Sequence, residues 1–298
     1  MSNLRSEGAC QGLKRTGDLV GVRQNIGIST ALKCFGGFVR YYDTTEPLPQ
    51  LASLISAGDC RNILACCGGG NQVLTMLGSG VGIRTLWAVD INPAQLFILA
   101  AKAQFLNKKL SQPFLPTFEQ LQKIYPQKIS AVKKDIRPLN YLYHLANGKM
   151  IVPPSELTRK YAVVHDDGIF ILPESGPFWQ NDPSFVSRVR AGLSSLQFLR
   201  TDILDAPEYF KEGSVDLIYL SDIYWQGTTE YYVDKMEGIL KLLRPNGRII
   251  GYNDPGENFG GRGISPLEVL TKNEKNLALR VNKEMCGYLV IQRGPKTR

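Results

Sequence analysis

Strand-length apolar runs alternate with helix-length segments along most of the chain. The predicted strands are rich in Val, Ile and Leu: RNILACC (61–67), IRTLWAVDI (83–91), LQFLRTDIL (196–204), VDLIYLSDIYW (215–225) and RIIGYND (248–254). The predicted helices are NQVLTMLGSG (71–80), NPAQLFILAAKAQFLNKKL (92–110) and EYYVDKMEGILKLLR (230–244). Continuous apolar strands joined by helices are typical of a mostly parallel α/β sheet covered on both faces. The segment 277–293 predicts two tightly joined final strands.

Two regions depart from this alternation. Residues 1–58 contain a polar tail followed by a segment that predicts a helical cap, and residues 59–298 form the predicted Rossmann-like domain. Within that domain, residues from about 110 to 190 are rich in proline and polar side chains, with helical pieces such as FEQLQKIYPQKI. A segment of roughly eighty residues is too long for a bare connection. We therefore predict a helical insertion that covers the strand ends.

Composition predicts a cytoplasmic protein. The 298 residues are 43% hydrophobic and 21% charged, which is ordinary for a soluble globular chain. The apolar runs are strand-sized, so no membrane span is predicted. The beginning of the chain, MSNLRSEGACQGLKRTG, has no apolar core of a secretory signal. None of these features indicates an oligomeric state.

Charge and cysteine content add few functional candidates. Residues 101–160 carry eleven of the Lys and Arg residues but only three acids, which accounts for the net charge of +8. No nucleic-acid motif accompanies this excess, so a solvated helical face is favoured and no nucleic-acid partner is predicted. The six cysteines lack C-x-x-C spacing and the chain has only two histidines, so no metal site is predicted. Cys66 and Cys67 are interpreted as small hydrophobic residues of a buried strand.

Three glycines and an aspartate follow the first two predicted strands. Gly68, Gly69 and Gly70 end the first strand, and Asp90 ends the second. In an open parallel sheet, ligands bind beyond the carboxyl ends of the strands, where glycine allows close backbone approach and a carboxylate accepts ribose hydroxyls. G-x-G-x-x-G is absent, so S-adenosylmethionine, which has no pyrophosphate, fits better than a dinucleotide. The structural alternative is a glycine turn, with Asp90 capping the helix that begins at Asn92.

Polar residues at two later strand ends favour the nucleoside interpretation. Asp202 follows the third strand, where its carboxylate can meet the adenine amino group. A polar pair and two aromatic residues follow the fourth strand: Ser221, Asp222, Tyr224 and Trp225. The segment LLRPNGRIIGYND resembles the helix, turn and fifth strand of class I methyltransferases. The predicted cofactor-binding set is Gly68, Gly69, Gly70, Asp90, Ile91, Asp202, Ile203 and Trp225.

The glycine loop and the second strand end resemble a more specific family. That family transfers the 3-amino-3-carboxypropyl group of S-adenosylmethionine and is known from betaine-lipid synthesis; it has an SGG-x-N loop and a D-x-NPAQ strand end. Gly69, Gly70 and Asn71 match the loop, and Asp90 and residues 92–95 match the strand end. The resemblance covers residues 61–110 and 195–254, and implies a class I methyltransferase-like Rossmann fold with S-adenosylmethionine as substrate. The chain departs from the lipid enzymes at its C-terminal end.

The resemblance implies attack on the γ-carbon of the methionine arm with release of methylthioadenosine. The nucleophile is either the substrate's own α-amine, which gives azetidine-2-carboxylate, or a small-molecule acceptor. A methyltransferase, a non-catalytic binding subunit and an RNA-modifying enzyme are the alternatives. The predicted catalytic residues are Asn71, Ser221, Asp222 and Tyr224, with Tyr224 or Trp225 against the sulfonium.

Other residues are weaker candidates. Tyr41 and Tyr42 are interpreted as packing residues rather than as parts of a lid. Arg262 belongs to a glycine-rich loop with two interpretations, a surface loop or a substrate gate in which Arg262 binds a carboxylate. His144 and His165 are interpreted as structural.

Overall fold

The fold is built on a central mixed sheet. The computed structural model describes residues 26–38, 48–80, 82–108, 115–116, 118–130, 162–165, 168–171, 179, 182–221, 229–252, 269–270, 279–283 and 288–293. The strands are β1 (Gly37–Phe38), β2 (Asn62–Cys66), β3 (Thr85–Val89), β4 (Ile129–Ser130), β5 (Ala162–His165), β6 (Gly168–Ile171), β7 (Leu196–Leu199), β8 (Val215–Ser221), β9 (Leu243–Tyr252), β10 (Leu279–Lys283) and β11 (Tyr288–Arg293). The α-helices are α1 (Ile28–Cys34), α2 (Leu48–Ser56), α3 (Asn71–Ser79), α4 (Pro93–Asn107), α5 (Phe118–Ile124), α6 (Pro183–Gly192) and α7 (Thr229–Leu242).

Seven strands form the central sheet in the order β10-β11-β9-β8-β2-β3-β7. Strands β9, β8, β2, β3 and β7 are parallel, whereas β11 is antiparallel to both β9 and β10. The α/β class I methyltransferase-like fold is therefore confirmed. From β2 the chain builds outward through β3 and β7 on one side, and through β8 and β9 on the other. The crevice between the carboxyl ends of β2 and β8 is thus the switch point where such sheets bind ligands.

The sheet is covered on both faces, as its apolar strands predict. Ile63 and Ala65 of β2 belong to a core that includes side chains of α1, α2, α3, α4 and α6. Leu64, between them, belongs to a second core that includes side chains of α7 and of the 3₁₀ segment Ile203–Glu208. Successive side chains of a strand point to opposite faces, so one short apolar strand supports both layers. Within the described residues, no helix is long and apolar enough to cross a membrane.

The N-terminal helices belong to the same layer as the helices of the sheet. The backbone N–H of Phe198 in β7 donates to Ile26 O at 3.0 Å, next to the start of α1. Ser56 Oγ of α2 donates to Ser79 O at the end of α3, also at 3.0 Å. Helices α1 and α2 are therefore integrated into one core of the sheet.

The described part of the insertion differs from the helical prediction. Helices α5 and α6 are present, but β5 and β6 form an antiparallel pair and β4 pairs in parallel with β1. The sequence of the two strands, AVVH (162–165) and GIFI (168–171), is compatible with this pair, because β-branched and aromatic residues favour strands. The β1–β4 pairing joins residues about ninety positions apart, and local periodicity cannot reveal it.

Three boundaries also differ from the predicted ones. Helix α4 ends at Asn107, three residues before the predicted end at residue 110. Helix α7 ends at Leu242, and the Pro-Asn-Gly sequence lies within β9 as a bulge, with Asn246 at a φ of 66°. A register shift against β8 between Val215 and Leu217 accommodates the extra residues. Strand β7 ends at Leu199, three residues before Asp202.

A buried carboxylate joins the beginnings of β2 and β8. Asp216 Oδ2 accepts the backbone N–H groups of Arg61 and Asn62, each at 2.7 Å. Asp216 Oδ1 lies 2.6 Å from Nε of Arg244, and the Asp216 side chain is only 5% exposed. These bonds hold together the two strands whose opposite ends form the switch point.

We expect Asp216→Ala to lower the free energy of unfolding by about 2–4 kcal/mol, because it leaves two backbone N–H donors and Arg244 without this acceptor. Asp59→Ala is the control, since Asp59 forms a solvent-exposed ion pair with Arg61 and its loss has little effect. Urea denaturation measures both variants. Equal stability of the two would contradict the anchoring role of Asp216.

Candidate functional site

A glycine loop connects β2 to α3 and lies at the switch point. Gly68 and Gly70 have φ angles of 49° and 87°, a left-handed conformation that glycine adopts without strain. The backbone N–H of Gly70 donates to Cys67 O at 2.9 Å, which closes a tight turn. The predicted turn of three glycines is therefore present at the end of β2.

One face of α4 supports this loop from behind. Gln95 Nε2 donates to Gly68 O at 2.7 Å, and Lys102 Nζ donates to Gly69 O at 2.7 Å. Between them, Leu99 lies so close that a Cβ atom on Gly70 would be 3.1 Å from Leu99 Cβ. The spacing of four and then three residues puts these side chains on one helical face. The loop is thus held by two hydrogen bonds and one close apolar contact.

Lys102 also binds the first residue of α3. Its Nζ donates to Asn71 Oδ1 at 2.9 Å, and both side chains are only 1% exposed. A buried ammonium group needs hydrogen-bond acceptors, and two carbonyl oxygens of the loop region supply them. The contact gives Asn71 a structural role in fixing the loop to α4. Its predicted catalytic role stays a prediction.

The hydrogen bonds to α4 determine which way the loop presents its amides. In a trans peptide, the carbonyl of one residue and the N–H of the next point to opposite sides, and the described residues contain no cis peptide. Because Gly68 O points toward Gln95, the N–H of Gly69 points away from α4. A backbone N–H in this position can donate to an anionic or hydroxyl oxygen of a ligand.

Asp90 follows β3, next to the glycine loop in the sheet. Its Oδ1 accepts the backbone N–H of Asn92 at 2.8 Å. The cap of α4 is Asn92 itself, whose Oδ1 accepts the N–H of Ala94 at 2.9 Å. A carboxylate has two oxygens and about four acceptor positions, so accepting the N–H of Asn92 does not by itself prevent a carboxylate from accepting hydroxyl donors. Contrary to the structural alternative, Asp90 therefore does not cap α4 but holds the residue that does; its ligand-binding role stays a prediction.

The apolar neighbour of Asp90 is unusual in its exposure. Ile91 is 68% exposed, although most large apolar side chains of the described chain are buried. An exposed isoleucine beside a carboxylate can pack against the flat face of a base while the carboxylate binds the attached sugar. The predicted role of Ile91 in cofactor binding is consistent with this geometry and stays a prediction.

Asp202 and Ile203 lie beyond β7, at the same edge of the sheet. Strands β3 and β7 are parallel, with Val89 opposite Leu199, so Asp90 and Asp202 follow adjacent strand ends. Asp202 Oδ1 accepts the N–H of Leu204 at 2.9 Å and caps a 3₁₀ segment. Ile203 is buried in the second core. Ligand contacts by Asp202 and Ile203 stay predictions.

Ser221 ends β8, across the switch point from the glycine loop. It is 8% exposed and has a φ of 55°, which is rare for a residue other than glycine. The pairing of β8 with β9 shifts between Tyr219 and Ser221, so a bulge accompanies this conformation. Strained residues and bulges cluster at functional sites.

Several predicted residues lie outside the described part of the chain. They are Tyr41, Tyr42, His144, Asp222, Tyr224, Trp225 and Arg262. His165 is the last residue of β5, which belongs to the insertion.

Cys67 lies under the loop and is unsuited to act as a nucleophile. It is fully buried, and its Sγ lies 3.5 Å from Gln95 O. Burial raises the pKa of the Cys67 thiol well above its ordinary value; the nearby negative charge of Asp90 adds to the rise and Lys102 opposes it. The thiol is therefore protonated at neutral pH, whereas a nucleophilic cysteine requires the thiolate. This supports the interpretation of Cys67 as a packing residue.

Lys102 and Gln95 support the candidate site, although neither belongs to the set of predicted site residues. Gln95 belongs to the matched D-x-NPAQ segment, but it carried no assigned role. Lys102 was counted only as part of the basic excess. The signal was the interruption of the apolar run LFILAAKAQFL by a lysine seven residues after Gln95, on the same helical face. A lone charge on a face that is otherwise buried indicates a buried partner.

No group of three or more His, Cys, Asp or Glu side chains is arranged to hold a metal ion in the residues that the structure describes.

No protein-family model matches the sequence, and no curated protein is similar to it. Similarity of fold is found to 311 chains of solved structures.

Three of those chains illustrate the level of similarity. Cofactor-bound Rv0187 from MTB is 11% identical, with 96% of this chain and 94% of that chain covered and a TM-score of 0.43. The N-methyltransferase NodS from Bradyrhizobium japonicum WM9 is 13% identical, with 84% and 94% covered and a TM-score of 0.40. The 1,6-didemethyltoxoflavin-N1-methyltransferase of Burkholderia thailandensis is 12% identical, with 83% and 78% covered and a TM-score of 0.36.

We expect Gly70→Ala to destabilise the protein by about 2–4 kcal/mol, because it combines a left-handed φ with overpacking against Leu99. Gly213→Ala is the matched control: Gly213 has a φ of 68°, but no atom lies within 4 Å of the added Cβ, so only the conformational cost of about 1 kcal/mol applies. Thermal and urea denaturation measure both. Equal losses would mean that Leu99 does not constrain the loop.

Proposed function

We propose that this protein binds S-adenosylmethionine at the switch point and catalyses attack on the γ-carbon of its methionine arm. The observation that carries the proposal is the hydrogen bond from Gln95 to Gly68 O, together with the bonds of Lys102 to Gly69 O and Asn71. The Gln95 bond joins the two segments that resemble the aminocarboxypropyl transferases, the glycine loop and the D-x-NPAQ strand end, and the Lys102 bonds attach the loop to the helix that follows that strand end. The two segments therefore act as one structural unit at the expected ligand edge.

The proposed ligand extends across three strand ends. The ribose hydroxyls donate to the Asp90 carboxylate, and the adenine lies against Ile91 on the side of Asp202. The methionine arm lies over Gly68, Gly69 and Gly70. This direction brings the reacting end of the arm toward Ser221, because β2 and β8 are neighbouring strands.

The proposed reaction forms a bond to the γ-carbon and breaks its bond to sulfur. The electron pair of the broken bond stays on sulfur, so the positively charged sulfonium becomes the neutral thioether of methylthioadenosine. In cyclisation, the α-amine of the same molecule is the nucleophile, loses a proton and becomes the ring nitrogen of azetidine-2-carboxylate. In transfer, the nucleophile belongs to a small-molecule acceptor. Ser221 is proposed to orient the nucleophile, since its hydroxyl can donate and accept a hydrogen bond.

Methyl transfer to a small molecule is the second candidate. The strand order β7-β3-β2-β8-β9 with an antiparallel final pair is that of methyltransferases, and such a fold hosts more than one reaction. The two candidates share the same ligand and differ only in which carbon lies in line with a nucleophile.

We expect Asp90→Ala to weaken S-adenosylmethionine binding by about 2–3 kcal/mol, because charge-assisted hydrogen bonds to the ribose are lost. Asp90→Asn is the matched control, since its side-chain oxygen can still accept the N–H of Asn92 and one hydroxyl. Its affinity should lie between those of the wild type and Asp90→Ala. Titration calorimetry measures all three proteins. Unchanged affinity in a folded Asp90→Ala variant would remove Asp90 from the binding site.

We expect incubation with S-adenosylmethionine alone to release methylthioadenosine and azetidine-2-carboxylate above the spontaneous background, as measured by mass spectrometry. The rate should rise with pH, because only the neutral amine is a nucleophile. Ser221→Ala should lower turnover more than binding.

The nucleoside product separates the alternatives. Methylthioadenosine that appears only after an acceptor is added indicates transfer rather than cyclisation. S-adenosylhomocysteine as the sole nucleoside product contradicts γ-carbon chemistry and establishes methyl transfer. Binding without any product indicates a non-catalytic role.

A further inference from the structure

The position of Lys102 behind the glycine loop has a consequence for ligand recognition. Its ammonium group donates to Gly69 O and Asn71 Oδ1, and is almost fully buried. Lysine has donors only, so Asn71 must turn its oxygen toward Nζ and its amide nitrogen elsewhere. The Gly69 N–H, for its part, points away from α4. The loop thus directs the N–H of Gly69 to the side opposite a buried positive charge.

We propose that Lys102 is a positioning residue that makes the loop selective for a ligand whose arm carries a carboxylate; this inference rests on the proposed function. A carboxylate oxygen bonded to the Gly69 N–H would lie within about 9 Å of Nζ, given standard backbone dimensions and hydrogen-bond lengths. At that distance an interaction through protein is only weakly screened by salt. Lys102 acts through Gly69 and Asn71 and does not touch the ligand.

The negative charge of Asp90 lies at the other end of the proposed ligand from the positive charge of Lys102. Asp90 supplies an acceptor for the ribose hydroxyls, and the positive charge of Lys102 favours the carboxylate. The thiol of Cys67 is near both groups: burial is the main cause of its raised pKa, Asp90 adds to the rise and Lys102 opposes it. The site is thus polarised along the ligand, which favours one orientation of a zwitterionic methionine arm.

The test compares two probes that differ only in the carboxylate, S-adenosylmethionine and decarboxylated S-adenosylmethionine. The wild type should bind the carboxylated probe at least about tenfold more tightly, as expected for a charge interaction at this distance in a medium of intermediate dielectric. In Lys102→Gln that preference should fall about tenfold. The carboxamide of glutamine is uncharged but keeps N–H donors for the loop carbonyls, so we expect folding to be less affected than in Lys102→Met.

Gln95→Met is the matched control. It removes a hydrogen bond to the same loop, at Gly68 O, without removing a charge. A purely structural contribution of Lys102 predicts that both variants weaken the two probes by equal factors. Selective loss of the carboxylated probe in Lys102→Gln, but not in Gln95→Met, supports the proposal.

The outcomes separate this inference from the proposed function. If the wild type binds both probes and Lys102→Gln leaves their affinity ratio unchanged, the role of Lys102 is refuted while S-adenosylmethionine binding stands. If the wild type binds neither probe, the proposed function fails and this inference fails with it. Circular dichroism shows whether Lys102→Gln folds. If it does not fold, the ratio of the wild-type affinities for the two probes decides, because equal affinities overturn the proposed selectivity for a carboxylate.

Discussion

The arrangement of the site depends on the contact between one face of α4 and the glycine loop. Gln95, Leu99 and Lys102 hold three consecutive glycines from behind, through two hydrogen bonds and one close apolar contact. Glycine loops have many conformations available and lose much entropy on ordering. The bonds to α4 offset that cost and select one conformation, in which the two carbonyls face the helix. A loop without these partners would present its amides in many directions.

The same contact couples three neighbouring segments of the fold. Helix α4 begins at the cap formed by Asn92, whose N–H is held by Asp90 at the end of β3. Through Lys102, helix α4 also contacts Asn71 at the start of α3. A shift of α4 along its axis would therefore move the glycine loop, the Asp90 carboxylate and the beginning of α3 together. Such coupling keeps groups from two strand ends in a fixed relation, which a preorganised binding site requires.

Much of this arrangement is visible in the sequence, but its supporting contacts are not. The Val-, Ile- and Leu-rich runs predict the sheet, and the strand-end pattern places Gly68 and Asp90 at the ligand edge. Lys102 is 33 positions from Gly69, and an isolated lysine on a helix is usually exposed. Its burial follows only from the packing of α4 on the loop. Asp202 lies farther from its strand than predicted, because a 3₁₀ segment after β7 uses its side chain as a cap.

On the opposite side of the crevice, a strained residue is likewise held in place by the packing around it. Ser221 has a left-handed backbone that costs about 1–2 kcal/mol for a residue with a Cβ atom. The two preceding residues, Tyr219 and Leu220, are fully buried, one in each core of the sheet. They fix the end of β8 so firmly that the strained conformation persists. The backbone conformation of Ser221 is therefore set by the core rather than by local preference, which is compatible with the role proposed for its hydroxyl.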